Sequence, residues 1–149
     1  HWETDSVVSR QSTVALNVTV ERKTRYAVIT KLQRKSAHET RLAITRALGP
    51  LPTHARRTIT YDNGTENVEH QQTNKALGTR SYFCNPFHSW EKGTEENTIG
   101  LIRRVFPKKT DFSKVTTKEI KSLERKLNTR PRKCLSFKTP LDAFTNCCT

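Results

Sequence analysis

Apolar residues in the first 32 positions recur at every second residue. Val14, Leu16, Val18 and Val20 alternate with smaller or polar residues, the spacing of a strand with one buried face. Trp2 to Val8 reads as an earlier strand. Tyr26 to Leu32, rich in β-forming residues, follows the polar turn Glu21-Arg-Lys-Thr24 closely enough to pair back as a hairpin. Three successive strands predict an antiparallel meander.

The period then lengthens. Ser36 and Glu39 frame a capping box, and Thr40, Ala43, Ile44, Ala47 and Leu48 line one face of the helix it starts, which Gly49 and Pro50 end. Arg57 to Tyr61 reads as a fourth strand stopping at the sharp turn Asp62-Asn-Gly64. A short helix to about Leu77 and a strand from Ser81 to Cys84 follow. From Trp90 to Val105 helical spacing returns, with Thr94, Thr98, Leu101, Ile102 and Val105 on one side and Pro107 closing the element. Thr116 and Glu119 frame a second capping box before Ile120, Leu123 and Leu127, and Thr139-Pro140 starts a terminal helix through Phe144. The order β-β-β-α-β-α-β-α-α predicts an α/β fold with one mixed sheet flanked by helices. With no repeat or linker, residues 1–149 suit one domain.

Charge narrows the class. The chain has 27 Lys plus Arg against 14 Asp plus Glu, a net +13, and such an excess calls for an anionic partner, of which nucleic acid is the leading candidate. A merely soluble basic domain is the plainer alternative, and charge identifies no reaction. Cys84, Cys134, Cys147 and Cys148 have neither Cys-x-x-Cys spacing nor a matching histidine cluster, which argues against zinc, and adjacent Cys147 and Cys148 cannot readily bridge. Without a signal peptide or long apolar run, the chain reads as cytoplasmic, with reduced thiols and no membrane. It has no methionine, which predicts a fragment of a longer protein.

In so basic a chain three acids stand out as candidate ligands for a hard cation such as Mg²⁺, which prefers oxygen donors. Asp5 lies inside the first strand, Asp62 ends the fourth, and Glu96 sits on the helix after Trp90. Aspartate disfavours strands, so Asp5 either points outward or is compensated. Asp62-Asn-Gly64 is also ordinary turn composition. Lys92, Glu96, Gly100 and Arg103 fall on one helical stripe opposite the apolar one, which suits either a groove for a phosphate backbone or a solvated face. Trp90 could stack on an unpaired base or fill core space, with the second favoured, and His88 could assist catalysis or be merely exposed. His38 and His54 have no evident partners in the sequence.

Several segments together carry a resemblance: His1-Trp-Glu-Thr-Asp5, Val20-Glu-Arg-Lys-Thr-Arg-Tyr26, Thr60-Tyr-Asp-Asn-Gly-Thr-Glu66, Trp90-Glu-Lys-Gly-Thr-Glu-Glu-Asn97, Gly100-Leu-Ile-Arg-Arg104, Phe106-Pro-Lys-Lys-Thr-Asp-Phe112 and Leu127-Asn-Thr-Arg-Pro-Arg-Lys133. In this order they cover nearly the whole chain, which resembles the insertion-sequence-30 family of bacterial transposases, within the group carrying an Asp-Asp-Glu triad on a retroviral-integrase fold. The resemblance implies a ribonuclease-H-like, five-stranded mixed sheet with helices on both faces. The 33 residues between Asp62 and Glu96 match the spacing it implies for the second and third triad members.

Carried over by position, Asp5, Asp62 and Glu96 are the expected catalytic acids and ligands of two Mg²⁺ or Mn²⁺ ions. Asp5 would bridge both, and Asp62 and Glu96 would each complete one site. The implied activity is DNA cleavage at transposon ends followed by strand transfer into target DNA. Lys92, Asn97, Arg103 and Arg104 are the expected DNA contacts, and the synapsed protein is expected to be a homodimer or larger, associated with the bacterial nucleoid. One departure is Glu95, where the family more often carries an uncharged residue. The helix-turn-helix region implied upstream is absent from this chain. A hydrolysis-only ribonuclease-H-type nuclease and a domesticated, non-catalytic nucleic-acid-binding domain are the competing readings.

Overall fold

The computed structural model describes residues 1–86 and 88–148, apart from the side chains of Ser89, Trp90 and Cys148. The expectations for Trp90 and for a Cys147–Cys148 bridge therefore fall on side chains outside the described residues. The meander is present as β1 (Trp2–Val7), β2 (Ala15–Glu21) and β3 (Ala27–Leu32), paired antiparallel throughout. β4 (Thr58–Tyr61) and β5 (Arg80–Phe83) add to the other side of β1 in parallel, giving the order β3-β2-β1-β4-β5. This is the five-stranded mixed sheet of a ribonuclease-H-like fold.

Helices cover both faces because β2 is buried along its whole length. On one face Leu16, Val18, Val20 and Ile29 pack against Ile102 of α3 (Gly93–Val105) and Ile120, Leu123 and Leu127 of α4 (Thr117–Thr129). On the other, Trp2, Ile59 and Tyr61 meet Ile44 and Leu48 of α1 (Ala37–Leu48), Leu77 of α2 (His70–Leu77) and Phe144 of α5 (Pro140–Cys148). Trp2 combines apolar burial with a donor that finds an acceptor: its indole N–H donates to the Ala55 carbonyl at 2.8 Å. Phe144 stacks on Tyr26 with centroids 4.6 Å apart, which fastens the last helix to the first hairpin.

The two caps form as the sequence predicts, since Ser36 accepts from the Glu39 N–H and Thr116 from the Glu119 N–H. Glu39, however, reaches to the Arg34 N–H instead of back to Ser36. Strand β3 is a sheet edge, and α4 side chains take the place of a further strand. Asn128 bonds both the N–H and the carbonyl of Ala27 (2.9 and 2.8 Å), while Glu124 accepts from the Ile29 N–H at 2.8 Å. An edge so occupied cannot template pairing with another chain.

The third helix departs from the expected pattern. Ser89–Lys92 form a 3₁₀ turn and the α-helix starts only at Gly93, so residue 92 is outside the helical repeat. Glu95, Thr98 and Ile102 are the buried face, whereas Val105, expected on the apolar side, is 54% exposed. Among the described residues, no helix is long and apolar enough to cross a membrane.

Candidate active site

The site arises where β1 and β4 part. Their parallel pairing runs Trp2↔Ile59 and Glu3↔Thr60 and then stops. Extended two residues, the same register sets Asp5 beside Asp62, and a period of two puts both on the face of Glu3 and Thr60. Two carboxylates thus project from matched positions at the C-terminal ends of neighbouring parallel strands, the usual place for ligands in an open α/β sheet. They line a cleft of about 690 Å³ together with Asn63, Lys92 and Glu96.

Asp62 is held by its own turn. One carboxylate oxygen accepts from the Gly64 N–H at 3.0 Å and the Asn67 side-chain amide at 2.7 Å. The turn then delivers Glu66, to which the sequence reading gave no role. Ligand oxygens of Asp5, Asp62 and Glu66 all lie within 4.8 Å of one another, a spacing that one cation can bridge. A Cβ at Gly64 would stand 2.2 Å from the Glu66 carboxylate, so a larger residue there would push that side-chain tip aside. Glu66 is buried and pairs with Lys35 at 2.9 Å, and Lys35, although burial opposes its charge, is raised above the usual lysine range by Glu66. Glu96 lines the cleft from α3, exposed, and is not one of the grouped carboxylates.

Beneath the cleft runs a buried chain of charge. Lys92, only 4% exposed, places its ammonium 3.3 Å from Asp5 and 3.0 Å from Glu95, with the Thr4 carbonyl at 3.4 Å. Glu3, fully buried, accepts from the Glu95 N–H at 2.8 Å and pairs with Arg22 at 2.9 Å. Burial would pull the Lys92 ammonium down, but Glu95 and Asp5 outweigh it and hold the group protonated. Glu95 goes the other way: burial outweighs the attraction of Lys92 and pushes its carboxyl up to about 8. Asp5 is also raised, by burial first and opposed by Lys92, with Asp62 adding like-charge repulsion.

The expected DNA contacts separate. Lys92 does not share an open stripe with Glu96: it precedes the helix, and its ammonium is committed to Asp5 and Glu95. Arg103 is half-buried, donating to the Val8 carbonyl at 2.7 Å with its guanidinium over the Phe112 ring. Asn97 and Arg104 are exposed on α3. His88 lines the cleft and stands 3.8 Å from Glu91. Neither histidine said to lack an evident partner is isolated in the fold, since His38 contacts Arg41 at 3.2 Å and His54 also interacts.

An acid cluster at the splayed ends of parallel strands, on a ribonuclease-H-like sheet with a helix carrying a further acid over it, defines an integrase-type core. The integrase core domain family matches residues 1–89, and the chain belongs to that family. It is 41% identical over 140 residues, 94% of its length, to the transposase InsI for insertion sequence element IS30A of Escherichia coli (strain K12), covering 36% of that protein. It is 38% identical over 144 residues to the transposase for insertion sequence element IS1086 of Cupriavidus metallidurans, covering 97% of this chain and 42% of that one. The chain thus spans well under half of these curated relatives. Among solved structures, the catalytic core domain of BIV integrase superposes with a TM-score of 0.74 at 15% identity, covering 97% of this chain and 93% of that one. A chain of the simian T-cell lymphotropic virus intasome in complex with PP2A regulatory subunit B56 gamma gives 0.76 at 20% identity, over 96% of this chain and 53% of that one. At these identities the likeness is one of fold.

Proposed function

We propose that this chain is the catalytic core of a DNA transposase, which cuts DNA at transposon ends and joins the freed 3′-hydroxyl to target DNA. The observation that carries the reading is the register placing Asp5 beside Asp62, with Glu96 on the wall of the same cleft. Its membership of the integrase core family and the transposases among its relatives support the same reading.

Asp5, Asp62 and Glu96 are assigned as catalytic acids and as holders of two divalent ions, Mg²⁺ or Mn²⁺. The donor set fits, since hard cations take carboxylate oxygens and the strand-end acids already lie within bridging reach. The chemistry supplied by such ions when bound is activation of a water or 3′-hydroxyl oxygen and stabilisation of the departing one. The residues do the positioning. Gly64 and Asn67 fix the rotamer of Asp62, Lys92 fixes that of Asp5, and α3 carries Glu96 to the opposite wall. Glu66 is the competing third ligand because of its proximity, but Lys35 already neutralises it. Asn97, Arg103 and Arg104 follow the backbone of bound DNA, Lys92 acts through Asp5, and two cores assemble when two ends are brought together. Recognition of end sequence belongs to a helix-turn-helix region elsewhere in the longer protein, and the setting is the bacterial cytoplasm, at the nucleoid.

The test is Mn²⁺-dependent nicking of supercoiled plasmid and joining of a pre-cut end. The wild type should do both, Asp62→Asn and Glu96→Gln neither, and all three should retain DNA. Nicking without joining would reduce the reading to a hydrolase, and equal nicking by wild type and Asp62→Asn would end it. A Glu66→Gln protein as inactive as Glu96→Gln would give Glu66 the third ligand position.

A further inference from the structure

Beyond the acid cleft lies a second cavity, of about 600 Å³, lined by Arg10, Arg103, Lys108 and Lys109 with Val8, Ser9 and Gln11. Four of its lining residues are cationic and none is acidic. Arg10, Lys108 and Lys109 are exposed, so their charges are free to meet a ligand at no desolvation cost to the fold. The walls are tied to each other: the Ser9 hydroxyl donates to the Lys108 carbonyl at 3.4 Å, and Arg103 donates to the Val8 carbonyl. One guanidinium nitrogen of Arg103, Nη1, is buried without a hydrogen-bond partner.

The position of this cavity relative to the acids follows from two independent rulers. Val8 is three residues beyond Asp5, about 10 Å at roughly 3.3 Å per residue of extended chain. Arg103 is seven residues beyond Glu96, which is two helical turns on the same face and about 10 Å at 1.5 Å per residue. Both run the same way, because Lys92, just before α3, meets Asp5 of β1, and Arg103, near the end of α3, meets Val8, just past β1. The basic cavity therefore continues the acid cleft in one direction. Successive phosphates along one strand of B-DNA advance about 3.4 Å along the helix axis, but adjacent phosphates of the winding strand lie roughly 7 Å apart, so about 10 Å reaches one to two of them. A lining of cations and hydroxyls with no aromatic ring selects phosphate over base.

We propose that this cavity is a phosphate site for the DNA strand lying in the cleft, gripping its backbone about one to two nucleotides to one side of the reacting bond. The proposal rests on the reading of the acid cleft as a site of DNA chemistry. It makes the site a sequence-independent ruler that holds the strand in place for the reaction.

The experiment uses a Y-branched DNA whose junction fixes the reacting phosphodiester, prepared as a series with one neutral methylphosphonate linkage at each of six positions on either side. Wild-type protein and the triple variant Arg10→Gln/Lys108→Gln/Lys109→Gln are compared in Mn²⁺ for binding and for reaction at the junction. Wild-type binding should weaken several-fold at one linkage lying about one to two nucleotides from the junction, and the same linkage should cause no further loss in the variant. The variant's slope of log affinity against log salt should be shallower by about 1. Identical interference profiles for the two proteins, or a variant loss spread evenly over all linkages, would overturn the phosphate site. If the wild type reacts at the junction in either of those cases, the acid-cleft reading stands without it. If the wild type neither binds nor reacts, both fall. Unchanged circular-dichroism melting of the variant separates lost contacts from lost folding.

Discussion

Replacement of Glu95 by Gln should remove one contribution to an unusual dependence of stability on pH. Glu95 is fully buried, Lys92 is its ion-pair partner among the described residues, and Lys92 is shared with Asp5. One Glu95 oxygen, Oε1, is buried with no hydrogen bond, so the site favours the neutral acid and the carboxyl is pushed up to about 8. Its ordinary value is 4.5, so between these two limits the folded protein holds a proton that the unfolded chain has released. The sign follows from linkage: Glu95 contributes its full stability below about pH 4.5, and this is lost as pH rises through about 8. Each pH unit inside the window costs about 1 kcal/mol, a few kcal/mol in all. Urea unfolding in EDTA at half-unit steps from pH 5 to 9 measures it. The difference in unfolding free energy, wild type minus Glu95→Gln, should fall steadily across the window and level off above about pH 8. A constant difference would refute the argument that burial outweighs Lys92 at Glu95.

Other perturbations test separate parts of the structure. Asn128→Ala leaves the Ala27 N–H and carbonyl unpaired at a buried edge and should cost about 2–4 kcal/mol in chemical denaturation, and Asn128→Asp, which sets a buried carboxylate oxygen against the Ala27 carbonyl, should cost at least as much. Trp2→Phe removes the hydrogen bond to Ala55 and some apolar area and should lower stability by about 2 kcal/mol. Lys92→Met strips the buried acids of their cation and should destabilise by about 3–5 kcal/mol, part of which adding Glu95→Gln should restore. Gly64→Ala should displace the Glu66 carboxylate without breaking the Asp62 turn, and so leave Mn²⁺ affinity nearly unchanged in a titration followed by electron paramagnetic resonance.

Much of this architecture is legible from periodicity because the sheet is buried in a regular way. Val14, Leu16, Val18 and Val20 alternate and all face one core, and the Ser36 and Thr116 caps mark their helices to the residue. Asp5 and Asp62 are legible as strand-end acids, although only the parallel register, which no local pattern encodes, sets them side by side. What was missed is charge that is buried. A hydrophobic pattern assigns Glu95 and Lys92 to the outside, and only the network of Glu3, Arg22 and Asp5 makes their burial tolerable. The 3₁₀ turn at Ser89–Lys92 shifted the third helix by three residues, and with it the face assigned to Val105. Glu66 escaped notice because it lies four residues after Asp62 in what reads as turn sequence, and its approach to Asp5 is tertiary.

The central claim concerns which oxygens hold the metal. Anomalous diffraction from crystals of this core soaked in Mn²⁺ measures it directly. The account predicts density in the cleft bounded by Asp5, Asp62 and Glu96, with Asp5 in contact with each ion. Manganese held by Glu66 with Glu96 uninvolved, or no manganese in this cleft at concentrations that support DNA cleavage, would contradict it.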